Sequence, residues 1–133
     1  MKTLRLTFDH FHFSGSLDPN IILVKNVDFD LEKTAATIFL SATAPILNKV
    51  TLELDFIAYK HGVLSMNILS DRKIAEMLFG FARRFLKDLS YFDLDYPTLR
   101  INTDLMLKEM KSDARIRNIA FTNNLYIIDL EIN

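Results

Sequence analysis

One run of this chain, Asp71 to Leu89, carries helical periodicity, and its apolar face is wider than a small core requires. Apolar side chains fall at Ile74, Ala75, Met77, Leu78, Phe79, Phe81, Ala82, Phe85, Leu86 and Leu89. They fill the i, i+3, i+4, i+7 stripe of a buried helix and spill past it. Lys73, Glu76, Gly80, Arg83, Arg84 and Lys87 make the narrow opposite stripe. Ser70 or Asp71 supplies a side-chain oxygen able to cap the free N–H groups of the first turn. Gly80 costs about 1 kcal/mol of helix propensity relative to alanine, so packing compensates or another group approaches the backbone closely there.

Elsewhere the period is two. Leu4, Leu6 and Phe8 alternate with Thr3, Arg5, Thr7 and Asp9, and then the parity flips to Phe11 and Phe13. A bulge or bend is expected near Asp9 and His10. Ser14-Gly15-Ser16 with Asp18-Pro19-Asn20 is the densest cluster of turn formers and reads as a loop. Val27, Phe29 and Leu31 oppose Asn26, Asp28, Asp30 and Glu32, a strand with one wet face. Ala35 to Ala44 loses the alternation and reads as a strand covered on both faces, ending at Pro45.

Val50, Leu52, Leu54 and Phe56 alternate with polar residues, and Lys60-His61-Gly62 turns the chain into Leu64, Met66 and Ile68, a β-hairpin. Phe92 to Ile101 is strand-like but broken by Pro97, which favours an edge or a strand start. Leu105 to Met110 suits a short helix. Ile116–Phe121 and Leu125–Ile132 flank Thr122-Asn123-Asn124, a second hairpin. The expected fold is α+β: a curved antiparallel sheet packed against one long helix at about residues 71–89, within a single domain covering 1–133.

Composition narrows the function. Half the residues are hydrophobic, eleven are phenylalanine, and glycine and proline number three each, so the chain is a folded one. Sixteen basic against seventeen acidic side chains leave no electrostatic footprint for a nucleic-acid partner. The absence of cysteine excludes disulfides, iron–sulfur clusters and thiolate zinc sites. Asp9 and His10 interrupt the N-terminal stretch before an export signal can form, and no charge-free run reaches the roughly 20 residues of a spanning helix. A cytoplasmic location is therefore expected.

No catalytic motif stands out. The chain lacks a G-x-S-x-G elbow and any glycine-rich phosphate loop, so no catalytic residue and no cofactor is assigned, and an enzyme is the weaker reading. Four acid-x-acid doublets, Asp28/Asp30, Glu53/Asp55, Asp93/Asp95 and Asp129/Glu131, each place two carboxylates on one strand face. Such pairs serve cation binding or acid/base work, but they equally keep the wet face of a sheet soluble. His10 and His12, on one strand face, form a metal site only with a third ligand from elsewhere, and none is assigned.

From Lys49 onward the pattern resembles a known family. Val50–Phe56 and Val63–Leu69 as paired strands, the helix at Asp71–Leu89, Pro97-Thr98-Leu99-Arg100-Ile101, Arg115-Ile116-Arg117-Asn118-Ile119-Ala120-Phe121 and Leu125-Tyr126-Ile127-Ile128 follow the strand–helix–strand order of small bacterial lipid-binding proteins of the tubular lipid-binding superfamily. The resemblance implies a helix laid in a strongly curved sheet, with an apolar groove for acyl chains. Independently, the helix stripe nominates Ile74, Met77, Leu78, Phe81 and Phe85 as groove residues, with Met66 and Phe56 opposite. The leading expectation is a noncatalytic protein that binds a lipid or another apolar ligand there. Ordinary core packing, peripheral membrane contact through the basic flank, and a homodimer through the helix stripe or an edge strand explain the same stripe.

Overall fold

Period-two patterning governs more of this chain than its turn-forming residues suggest. The computed structural model describes residues 2–17, 27–34, 36–44, 47–83 and 90–133. Within them, β1 (Lys2–Phe8), β2 (Phe11–Leu17), β3 (Val27–Thr34), β4 (Thr37–Ala44), β5 (Leu47–Lys60) and β6 (Val63–Ile68) precede the helix α1 (Arg72–Arg83). There follow β7 (Phe92–Asp95), β8 (Thr98–Asn102), the helix α2 (Thr103–Glu109), β9 (Ala114–Thr122) and β10 (Leu125–Ile132).

The expected plan of one curved sheet against one long helix is thereby overturned. The described residues form a mostly β protein, with ten strands in two antiparallel sheets and two short helices. Part of the correction lies in the segment read as a loop. Ser14, Gly15 and Ser16 belong to β2, and pairing with β3 accounts for this: the Ser14 and Ser16 hydroxyls donate to Asp30 and Asp28 across the ladder, at 2.8 and 2.7 Å. Cross-strand contacts outweigh local turn propensity there. The helix contributes twelve described residues rather than nineteen, and positions 84–89 of the expected span lie outside the described residues, as do 18–20 of the expected loop and Pro45.

The seven-stranded sheet runs β2-β3-β4-β5-β6-β8-β7 and the three-stranded one β1-β10-β9. Both expected hairpins form. His61 and Gly62 take φ of 53° and 79° between β5 and β6, and Asn123 and Asn124 take 52° and 64° between β9 and β10. Those positive angles match the right-handed strand twist of a two-residue turn. β5 is longer than its alternation suggests, and a register shift between Phe56 and Ala58 leaves the exposed Ile57 as the intervening residue.

Register makes the large sheet two-faced. Leu31 opposes Leu40, Leu40 opposes Leu52, Leu54 opposes Ile68, Phe56 opposes Met66, and Met66 opposes Leu99. All of these share one side, and α1 lies against it: Leu52, Leu54, Met66, Ile68, Ala75 and Leu99 form the core, with Leu78 and Phe79 packed onto it. Burial of those side chains contributes on the order of 1.5–3 kcal/mol each for the larger ones. The opposite side carries the carboxylates of Asp28, Asp30, Glu32, Glu53 and Asp55 with serines and threonines.

Polar and aromatic contacts join the small sheet to the large one. The Tyr59 hydroxyl sits 2.9 Å from the Ile116 carbonyl oxygen and 2.8 Å from Thr103 Oγ1, and Thr103 donates to the Gly62 carbonyl. Phe56 and Tyr126 meet edge to face at 5.9 Å. No described helix is long and apolar enough to cross a membrane.

Candidate functional site

Helix α1 starts where the sequence places its cap. The Asp71 carboxylate accepts from the Ile74 N–H at 3.0 Å, and Ser70 holds the entry by accepting from the Glu53 N–H while its carbonyl accepts from the Tyr96 hydroxyl. With the start fixed, Ala75 is fully enclosed and Phe79 meets Phe92 of β7 edge to face at 6.1 Å. Ile74 and Met77 lie about 140–160° around the axis from Phe79. Their flank is turned away from the Phe92 contact, and Met77 is 52% exposed.

The apolar side of the large sheet extends beyond the core under α1. Through β4, β3 and β2 it presents Leu40, Leu31, Phe29 and Phe11, all half-buried, and Phe13, which is 60% exposed. Phe11 and Phe13 lie 5.5 Å apart, and Phe8 continues the row at 5.7 Å from Phe11. This β2–β4 wing and the Ile74–Met77 flank of α1 are the candidate site.

The expected groove residues divide between core and surface. Met66 is 2% exposed inside the core cluster, Leu78 packs on that cluster half-buried, and Phe56 packs on it and on Tyr126. Ile74 is half-buried and Met77 is open. Phe81 belongs to α1 but its side chain lies outside the described residues, as does the whole of Phe85. Phe13, Phe29 and Leu31 are not among the groove residues that the helix stripe nominates; the parity flip at Phe13 and the alternation of Phe29 and Leu31 are their signals in the sequence, and the β2–β3 register brings them to one side.

Lys33 was missed too. It continues the inward series of Phe29 and Leu31, so its stem points into the apolar side, and the residue is fully buried. Its ammonium donates to the carbonyl oxygens of Asp9 and, at 3.1 Å, Asn124, and lies 6.0 Å from the centre of the Tyr126 ring. The lysine thus ties the β1–β2 bend and the β9–β10 turn to β3. The Tyr126 hydroxyl is buried with no hydrogen bond of good geometry. Burial, and secondarily the charge of Asp55, push that phenol up to about 12, against a smaller opposing effect of the Phe56 backbone.

Catalytic arrangements do not assemble among the described residues. His12 and Ser14 both address the same oxygen of Asp30, at 3.3 and 2.8 Å. The serine proton therefore goes to the carboxylate and not to an imidazole base, which is the wrong order for a nucleophile. The Ser14 hydrogen bond is the main cause that holds the Asp30 carboxyl below the usual range, with His12 and Lys49 adding to it. His10 lies in the bend before β2, near Asp9, so the expected shared strand face with His12 is not formed. No group of three or more metal-ligating side chains occurs among the described residues.

The carboxylate doublets are occupied by ordinary partners. Thr37 donates to Asp55, Arg100 reaches Asp93, Arg5 forks onto Asp129 at 2.7 and 3.1 Å, and Arg117 meets Glu131 at 3.0 Å. Arg5, Asp129 and Arg117 line a concavity of about 540 Å³ together with Thr3, Leu4, Asn118 and Leu130. Exposed pairs of this kind contribute little to stability, because water and salt screen them.

Comparison with known proteins finds no matching family model, no matching curated protein and no matching solved structure.

Proposed function

We propose that this protein is a noncatalytic carrier of an apolar ligand of the acyl-chain class, held along the Ile74–Met77 flank of α1 over the β2–β4 wing. The observation that carries the reading is the surplus of apolar sheet: Phe13 remains 60% exposed on the same side as the half-buried Phe29, Leu31 and Leu40. A side of this kind, with the half-exposed and flexible Met77 as a further apolar contact, accommodates a chain of variable shape.

Native mass spectrometry of the purified protein, followed by organic extraction, tests this directly. The expected result is a copurifying acyl-chain lipid, or stoichiometric uptake of added palmitate. Met77→Glu, at an exposed position, should weaken palmitate binding by about tenfold, equivalent to about 1.4 kcal/mol, without unfolding the protein. Absence of both copurifying lipid and palmitate uptake would remove the proposal. Cosedimentation with anionic vesicles distinguishes a protein resting on a membrane from one that carries a lipid in solution.

A further inference from the structure

Among the described residues four strands lie at the sheet edges: β1 and β9 in the small sheet, β2 and β7 in the large one. Three of them are guarded. β1 carries Lys2 and Arg5, β9 carries Arg115 and Arg117, and the short β7 carries Asp93 and Asp95. Charges at such positions discourage a second chain from adding to the ladder. β2, Phe11-His12-Phe13-Ser14-Gly15-Ser16-Leu17, carries no acidic side chain, no lysine or arginine and no proline. Among the described residues it pairs on one side alone, with β3, and with no register shift along seven residues.

We infer that β2 is a self-pairing edge through which two copies of this chain join. A two-fold axis at Ser14, the middle residue of β2, pairs the strand with itself over its full length in antiparallel fashion. Phe11 then faces Leu17 of the second copy, His12 faces Ser16, Phe13 faces Gly15, and Ser14 faces Ser14. The contact is isologous, so every gain is made twice. No like charges meet at neutral pH, whereas β1, β9 and β7 each set like charges against themselves in some register. Phe13, the most exposed aromatic side chain of the described strands, acquires a neighbour beside Gly15, where a side chain would meet nothing within 4 Å. An aromatic ring over a strand glycine on the adjoining strand covers the backbone that the glycine leaves bare. The apolar sides of the two large sheets become continuous across the axis.

The absence of cysteine makes the register directly testable. On the axis, the two Ser14 Cα atoms stand about 4.5–5.5 Å apart, within reach of a disulfide. Ser16 faces His12, so the two Ser16 residues lie about 13 Å apart and cannot be bridged. Under mild oxidation Ser14→Cys should convert to a covalent dimer and Ser16→Cys should remain monomeric on a denaturing gel. In sedimentation velocity the unmodified protein should run as a dimer. Ser14→Asp, which sets two carboxylates against each other on the axis, should run as a monomer with an unchanged circular dichroism spectrum, while Met77→Glu stays dimeric. A wild-type monomer at every concentration, equal cross-linking at both cysteines, or a dimeric Ser14→Asp protein would overturn the inference. None of these readouts depends on ligand, so the carrier reading and the dimer stand or fall separately.

Discussion

Tyr126 is held in a place where its ring is welcome and its hydroxyl is not. The ring packs between Phe56 and Phe121, at 5.9 and 4.8 Å, but the buried oxygen makes no good hydrogen bond. A buried hydroxyl without a partner costs about 1–3 kcal/mol, so Tyr126→Phe should be neutral or stabilising by about 1 kcal/mol in urea unfolding. Alkaline pH gives an independent sign. The folded phenol titrates at about 12 and the unfolded one near 10, so the folded state holds the proton more tightly. Its contribution to stability is complete below pH 10 and is lost as pH rises from about 10 to about 12. Tyr126→Phe should flatten the stability profile in that window. A profile with the same slope in wild type and variant would place the alkaline loss on another group.

At the scale of elements, α1 shows what local chemistry can and cannot reveal. Its start was legible because an acid before an apolar run has one cheap role, and Asp71 takes it. Asp71→Ala should lower stability by about 1 kcal/mol and Asp71→Asn by much less, read from urea midpoints at constant slope. Equal losses would assign the effect to charge rather than to the hydrogen bond. Both hairpin turns were legible for a similar reason, since His61-Gly62 and Asn123-Asn124 supply positive φ where alternation stops. The first part of β2 was legible in the parity flip at Phe11 and Phe13, but Ser14-Gly15-Ser16 was not, because it has loop propensity and the reason it is a strand lies in Asp28 and Asp30, twelve to sixteen residues away. For the site, Ile74 and Met77 follow from helical spacing alone. The β2–β4 wing depends on which strands neighbour which, and order within a sheet leaves no local trace.

The whole molecule raises a question that its two sheets pose together: whether they unfold as one. Lys33 answers through its two acceptors, since Asp9 lies between β1 and β2 and Asn124 lies in the β9–β10 turn. Burying an ammonium is costly, and hydrogen bonds to backbone carbonyls recover part of the cost only while both segments stay docked. Undocking the small sheet therefore exposes Tyr126 and strips partners from a lysine embedded in the large sheet's apolar side, which penalises any state with one sheet folded alone. Hydrogen exchange read by mass spectrometry should show peptides from β5 and β10 opening with the same free energy. Lys33→Met leaves the two carbonyls without their donor, and should lower protection in β3, β5 and β10 by a common amount of about 1–3 kcal/mol. If protection fell in β9 and β10 alone, the small sheet would be a separate cooperative unit. The seam would then be an interface between two such units and not the middle of one.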